Sequence, residues 1–586
     1  MPTAAELLIK CLENEGVEFI FGIPGEENLH VMDALRNSSI KFITVRHEQG
    51  AAFMADVYGR LTGRAGVCLA TLGPGATNLI TGYADANMDR APIVAIAGQG
   101  STARMHKESH QMIDLVNLFE PISKYSAEIV QPDIVPEIVR KAFKDAQSEK
   151  PGGAFISFPE NIAGMEVAEN LTPLKVQSAT PPFPAPNKIT QAAELISSAQ
   201  FPIIMVGNGV IRANACNALV NFVEKLNIPV AHTFMAKGCV PFSHPLSLGT
   251  VGLQAHDYVN CGFDRADVVI CVGFDMVEYH PKSWNPQGDK KIIHIDQTYA
   301  EVDAFYQLEV GVLGEISTSL ELIAKQATAK ESVYAGSLRE IIKEQIDAYR
   351  DDNSFPIKPQ RILYDTRQVL ADEDILLSDV GAHKMWIARL YHCEQPNTCI
   401  ISNGFASMGI ALPGALAAKM AYPNKRILAI TGDAGFLMNS QEIETALRYK
   451  LALVVMIWHD KEYGLIKWHQ QRRFGRSGNI SFNNPDFVKY AESFGAIGYR
   501  VEKTEELIPT LEKAFAQNTV VIIDVPVDYS ENMKLGRWKE IIIQNNQEKW
   551  SKTISPTMAF GQQTDNTSSL LFYLPLLLFH IFFLLI

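Results

Sequence analysis

Ile427-Leu428-Ala429-Ile430-Thr431-Gly432-Asp433-Ala434-Gly435-Phe436 is a short apolar run that breaks into a glycine-rich turn and sets a carboxylate at the break. Its length, lack of charge and glycine boundary predict a buried β-strand feeding a helix. A second apolar run, LALVVMIW at 451–458, leads into His459-Asp460-Lys461-Glu462-Tyr463-Gly464, and Asp460 follows Asp433 by 27 positions. Neighbouring parallel strands deliver their C-terminal ends to one edge of a sheet, where α/β proteins bind ligands. Two carboxylates there, beside a turn that exposes N–H groups, suit a Mg²⁺ ion holding a diphosphate, because Mg²⁺ favours oxygen and takes few carboxylates plus phosphate oxygens. The bland alternative is that both aspartates cap the helices that follow their strands.

Outward from this segment the same alternation repeats. VEFIFGI, KFITV, GVCLATL, PIVAIAG and GAFISF punctuate the first 165 residues, FPIIMVG, DVVICVG and KIIHID the middle, and DILLSDV and TVVIIDVPV flank the opening motif. Near-continuous apolar strands between amphipathic helices indicate parallel sheets covered on both faces. The fold class expected is therefore α/β, as three consecutive parallel-sheet α/β domains. TPPFPAPN at 180–187 is a proline-rich linker, and FPIKP at 355–359 opens the third block. The boundaries expected are 1–165, a linker at 166–189, 190–328, a helical linker at 329–355, 356–532, and a polar segment with an apolar tail at 533–586.

Composition narrows the function. The 586 residues exceed what one hydrophobic core organises. With 52 basic and 65 acidic residues the net charge is −13, which argues against a nucleic-acid partner while leaving room for a local anion site. Eight cysteines form no CxxC pair, so a zinc site is not expected and a reducing, cytoplasmic setting is the simplest account. The N-terminus reads as an amphipathic helix rather than a signal peptide. The tail, LLFYLPLLLFHIFFLLI at 570–586, is uncharged, at the short limit for a bilayer span, and interrupted by Pro575. A membrane anchor, a greasy interaction tail and a non-native reading frame all stay open for it. In the middle block Gly207-Asn208-Gly209 follows a strand, but Arg212 stands where a dinucleotide fingerprint wants its third glycine.

Three further stretches carry chemistry. In VRHEQGAAFMAD, Glu48 stands at the mouth of a helix lined by Ala, Phe and Met, where a carboxylate needs a proton, a partner or a hydrogen bond. The helix macrodipole alone also accounts for an acid at that position. Ser407-Met408-Gly409, ahead of Leu412-Pro413-Gly414, is a small-residue turn entering a helix, a shape that lets backbone approach a ligand. LSDVGAH ends another strand at His383, in reach of a phosphate oxygen.

RHEQGAAFMA, LGPGATN, SMG before ALPG, and Gly-Asp-Ala with a second carboxylate 27 positions on together resemble the thiamine-diphosphate-dependent enzymes, and among them the acetolactate synthase catalytic subunits, over roughly residues 4–530. The resemblance implies thiamine diphosphate and Mg²⁺ as cofactors. It implies Glu48 as a dry carboxylate on the aminopyrimidine ring, Met408 as the prop that bends the cofactor, and Gln111 at the reacting centre. Gly25, Gly381, His383, Gly432, Ala434 and Gly435 would line the cofactor, while Asp433, Asp460 and the carbonyl of Glu462 would ligate the metal. Pyruvate would be the substrate, 2-oxobutyrate a second acceptor, and the active unit a homodimer or homotetramer.

Within that family His110-Gln111, VEYHPKSWN and VPVDYSENM resemble the catabolic, pyruvate-specialised members. His469 stands where biosynthetic relatives carry tryptophan, Glu160 follows Pro159 where they carry lysine, and His459-Asp460 replaces their usual Asn-Asn. These departures bear on the acceptor and on FAD, which the resemblance leaves open, and not on the fold. A thiamine-diphosphate-dependent decarboxylase or oxidase is the alternative activity, and a membrane-tethered homologue without activity is the alternative class.

Overall fold

The computed structural model describes residues 1–536 apart from 106, 178, 254–257 and 332–335. The apolar tail expected at 570–586 lies outside the described residues. Three six-stranded sheets follow one another along the chain, and every strand pair within them is parallel.

The first sheet holds β1 (Phe19–Gly22), β2 (Lys41–Thr44), β3 (Gly66–Ala70), β4 (Ile93–Gln99), β5 (Tyr125–Glu128) and β6 (Gly153–Pro159), in the order β2-β1-β3-β4-β6-β5. The second holds β7 (Pro202–Val206), β8 (Val230–His232), β9 (Ser247–Thr250), β10 (Val268–Val272), β11 (Lys291–Asp296) and β12 (Leu308–Leu313), ordered β12-β11-β10-β7-β8-β9. The third holds β13 (Ile375–Ser378), β14 (Cys399–Ile401), β15 (Ile427–Gly432), β16 (Val454–His459), β17 (Ile497–Arg500) and β18 (Val521–Pro526), ordered β14-β13-β15-β16-β18-β17.

Each order has a central reversal, between β1 and β3, between β7 and β10, and between β13 and β15; the first and third turn back again at one edge, where β5 lies outside β6 and β17 outside β18. Helices leaving opposite faces of the sheet part at such a point, and the crevice they leave at the strand C-termini is where open α/β sheets bind ligands. The opening motif falls on the third of these. β15 pairs with β16 in register, Gly432 opposite Trp458, so Asp433 and Asp460 emerge from adjacent strands.

The first and third sheets share a core. The helix Glu48–Thr62 buries Ala51, Ala52, Phe53, Met54, Ala55 and Val57 against the helices Pro74–Met88 and Ala411–Ala421. Small residues bring these helices close: a Cβ on Gly414 would stand 2.8 Å from Val57, and one on Gly82 2.7 Å from Ala52. No helix among the described residues is long and apolar enough to cross a membrane.

Candidate active site

The structure sorts the candidate residues into two groups. In the third block, the helix Asp433–Asn439 starts directly after β15, and the helices Ala382–Leu390 and Gly464–Phe474 start shortly after β13 and β16. Their N-terminal N–H groups face one edge, which favours an anion there. His383 lies between the two switch-point turns: a Cβ on Gly381 would stand 2.7 Å from its ring, and one on Gly432 3.3 Å. Burial holds the imidazole neutral, down to about 3, and its Nε2 is buried without a partner. An anion placed here would supply that partner and favour the protonated ring.

Asp433 is buried at the start of its helix. Its Oδ1 accepts the Ala434 N–H at 2.9 Å, and its Oδ2 accepts the Lys461 N–H at 2.8 Å and Asn484 Nδ2 at 2.7 Å. Asp460 accepts the Glu462 N–H at 3.3 Å, and burial followed by the charge of Asp433 pushes its carboxyl up to about 7. The Glu462 carbonyl takes the Gly464 N–H at 2.9 Å, while its carboxylate pairs with Lys467. Asn484 Oδ1 is a further buried oxygen without a partner. Oxygen donors of this kind fit Mg²⁺, and the two carboxylates repel until a cation lies between them. Among the described residues no cluster of three or more His, Cys, Asp or Glu side chains could hold a metal. An ion here would thus need the carbonyl, amide and phosphate oxygens as well. A cavity of about 660 Å³ opens beside Asp460, with His459, Glu462, Gly464, Trp468 and Tyr529 in its wall. His469 is not part of that wall; its ring lies 5.4 Å from the Trp468 ring.

The backbone just after Met408 is held by two side chains. Asp379, pushed up to about 6 by burial, accepts the N–H groups of Gly409 at 2.8 Å and Ala411 at 3.2 Å. Gly409 sits at φ +91°, which a side chain at that position would strain, and its carbonyl accepts Asn439 Nδ2 at 2.9 Å. A Cβ on Gly435 would stand 2.9 Å from Asp379, so Ala434 and Gly435 run alongside the same turn.

The second group belongs to the first block. Glu48 opens its helix, and its Oε2 accepts Asn78 Nδ2 at 3.0 Å. Within the single chain the Glu48 carboxylate is half-buried, because the apolar wall of the helix begins at Gly50 and the first turn stays at the rim of the chain. Gly25 lies against Thr71 at the β1/β3 switch point. Gln111 is exposed, at φ +59°, and touches Gly73. Arg104 holds that loop through Ser109 Oγ at 2.9 Å and the His110 carbonyl at 2.6 Å.

No hydrogen bond or ion pair among the described residues joins Glu48 to Asp433, Asp460 or Glu462. One link between the two blocks near the site is Glu442, unread in the sequence. This buried carboxylate accepts the backbone N–H groups of Arg46 at 3.0 Å and His47 at 3.1 Å, and so anchors the start of the Glu48 helix. Asn78 was visible in LGPGATN, but nothing local marks Glu442 or Asn484.

The middle block differs at its switch point. Glu278 is buried between the two turns, accepting the Asn208 N–H at 3.0 Å and Thr233 Oγ1 at 2.5 Å, and burial pushes its carboxyl up to about 7. A Cβ on Gly207 would stand 2.9 Å from Glu278 and 2.4 Å from the Gly273 carbonyl. Arg212 is committed to Glu149 through Nε and Nη2.

Three family models match the chain: the N-terminal TPP binding domain of thiamine pyrophosphate enzymes at 2–118, their central domain at 189–323, and their C-terminal TPP binding domain at 379–525. An acetolactate synthase of Bacillus subtilis (strain 168) is 37% identical over 91% of this chain and 94% of its own length. A catabolic acetolactate synthase of Raoultella terrigena is 34% identical over 90% and 95%, and the isozyme 3 large subunit of Escherichia coli (strain K12) 33% over 91% and 96%. Parallel sheets in threes, a carboxylate pair at adjacent strand ends and this coverage lead to one assignment: the chain belongs to the thiamine-diphosphate-dependent acetolactate synthase family.

Proposed function

We propose that the protein decarboxylates one pyruvate and joins the two-carbon unit to a second, giving 2-acetolactate and CO₂. The observation that carries this reading is the pairing of Asp433 and Asp460 at adjacent strand ends beside the His383 crevice, a seat for a metal-bound diphosphate. When bound, thiamine diphosphate supplies the electron sink for the carbanion chemistry. The chain does the rest. Asp433, Asp460 and the Glu462 carbonyl hold Mg²⁺, with Asn484 beside them. Gly381, Gly432, Ala434 and Gly435 admit the diphosphate, and His383 donates to it. Met408 bears on the cofactor from the clamped turn, Gly25 and Glu48 meet its pyrimidine, and Gln111 faces the substrate. Glu48 holds the proton that a ring nitrogen shares, with Asn78 fixing one carboxylate oxygen.

Because no hydrogen bond or ion pair among the described residues joins Glu48 to the Asp433–Asp460 pair within one chain, we place each active site between the first block of one subunit and the third block of another, in a homodimer or a dimer of dimers. Mixing inactive Glu48→Gln subunits with inactive Asp433→Ala subunits is then expected to restore part of the activity, since some mixed sites receive both intact halves. No recovery after verified subunit exchange would place the site within one chain.

FAD does not fit the middle block as it stands. The N–H that a dinucleotide phosphate would take is already given to Glu278, and the turns on either side touch. We therefore read this block as flavin-free.

Product analysis tests the activity. Pyruvate with Mg²⁺ and cofactor is expected to give acetolactate; acetaldehyde or acetate as main product would indicate a decarboxylase or an oxidase instead. With equimolar pyruvate and 2-oxobutyrate, acetolactate is expected to dominate. The extra methyl of 2-oxobutyrate is worth about 1–3 kcal/mol only where an apolar wall receives it, and His469, which lies outside the wall of the cavity beside Asp460, offers it none. Strong preference for 2-oxobutyrate would defeat the pyruvate-specialised reading.

A further inference from the structure

Where the first and third blocks meet, five ionisable side chains are buried together. Asp56 lies on the helix Glu48–Thr62, and Asp85 and Asp89 lie on and just after the helix Pro74–Met88; all three are 0% exposed. Arg60 Nη1 reaches Asp89 at 3.1 Å, and Lys384, on the helix after β13, faces Asp85 and Asp89. Burial pulls Lys384 down only to about 8, so it stays a cation at neutral pH. The helix Ala411–Ala421, which also packs along the Asp56 helix, buries only apolar side chains. Three carboxyl groups thus face two cations, and a buried charge left uncompensated is strongly disfavoured.

The donors show where the missing proton belongs. Asp89 has Arg60 and the N–H groups of Asn403 and Gly404. Asp85 Oδ1 has Ser402 Oγ at 2.7 Å and the Ser407 N–H at 3.2 Å, but its Oδ2 has no partner. Asp56 has none on either oxygen, and it faces Asp85. Two acceptor-only groups in a dry site need a hydrogen between them.

We propose that Asp56 keeps a proton at neutral pH and donates it to Asp85 Oδ2, which makes Asp85 an oriented anion and a positioning residue for the 402–409 turn that carries Met408. The proton brings the cluster to neutrality. It also spares Asp85 from turning away from Ser402 and Ser407, whose hydrogen bonds set the near side of the turn while Asp379 sets the far side. The positioning half rests on the reading of Met408 given under Proposed function; the proton does not.

The test is an isotope-edited infrared spectrum of the holoenzyme together with steady-state kinetics. The parent is expected to show the C=O band of a protonated carboxylic acid at pH 7, lost in Asp56→Asn. Asparagine still donates to Asp85, so Asp56→Asn is expected to keep kcat within about threefold. Asp56→Leu removes the donor, and a misplaced turn is expected to lower its kcat roughly 10- to 100-fold. The folded protein holds a proton that the unfolded chain releases above about pH 4. Stability of the parent should therefore fall, relative to Asp56→Asn, as pH rises beyond that point. Absence of the acid band in the parent overturns the assignment. So does a band that survives Asp56→Asn and disappears in Asp85→Asn, which would put the proton on the other carboxyl. A normal band with Asp56→Leu at parental kcat overturns the positioning role. Met408→Ala at parental kcat would instead fail the site reading on which that role rests, with the band still reporting the proton.

Discussion

Glu48→Gln is expected to lower turnover of pyruvate by roughly 10²–10⁴-fold, the usual worth of a positioned general acid–base group, while the fold and most of the cofactor affinity remain. The substitution keeps size and a hydrogen-bonding end but removes the ionisable proton. Structure limits the collateral damage. Glu48 touches Asn78 through one oxygen, and glutamine can present its own oxygen to that amide. The start of the helix is held independently, by Glu442 on the N–H groups of Arg46 and His47 and by His47 Nδ1 on the Gln49 N–H. Turnover, not melting temperature, is therefore the quantity that should move. A variant retaining more than about half the parental kcat would remove Glu48 from the chemistry, since that is far less than proton transfer contributes.

The half-buried state of Glu48 matters for the same experiment. A carboxylate open to water on one side is poorly placed to share a proton with a ring nitrogen, because water competes for both. A second subunit lying over the rim would remove that competition. The loss in Glu48→Gln and the recovery in mixed subunits thus probe the same feature from two directions, the chemistry of the residue and the closure of its surroundings.

What the sequence revealed depends on distance along the chain. Central strands such as β4, β10, β15 and β16 are continuous apolar runs because both faces are covered, and they were legible. Edge strands were less so. β5 (YSAE) and β17 (IGYR) are only partly buried, β14 (CII) has three residues, and β12 (LEVGVL) alternates with exposed glutamate; each ends a sheet, where one side needs no apolar cover. The site divides similarly. Asp433 advertises itself because a strand, a glycine and an acid are consecutive, and Asp460 because only His459 separates it from the end of the next apolar run. Glu442 on His47, Asp85 on Ser407 and Asp89 on Asn403 span more than 300 residues, and neither partner carries a pattern that names the other.

The three switch points show why fold alone would mislead about cofactors. The same topology recurs in each block, yet only the first and third present the candidate residues. The second is filled by Glu278, whose carboxylate takes the place an anion would have on the Asn208 N–H. That acid is carried on the turn after β10, and Gly207-Asn208-Gly209 gives no hint of it.

Asp433→Ala is expected to weaken Mg²⁺-dependent cofactor binding by more than the roughly 10–100-fold typical of losing a residue that merely supports a metal ligand. Mg²⁺ takes a small, rigid set of oxygens, and the chain offers few to replace an anion lost from it. The substitution also strips the acceptor from the Lys461 N–H and from Asn484 Nδ2, which loosens the turn that carries Asp460 and Glu462. Asn484→Ala separates these effects. It leaves both carboxylates in place and should cost less than Asp433→Ala, within the range for a supporting residue. Cofactor binding is to be titrated with and without Mg²⁺ for parent and variants. The expected pattern is a large loss for Asp433→Ala that vanishes when chelator is present, because the parent then binds as poorly as the variant. Equal affinity of parent and Asp433→Ala in saturating Mg²⁺, or parental binding indifferent to chelator, would mean that the carboxylate pair caps helices and holds no ion.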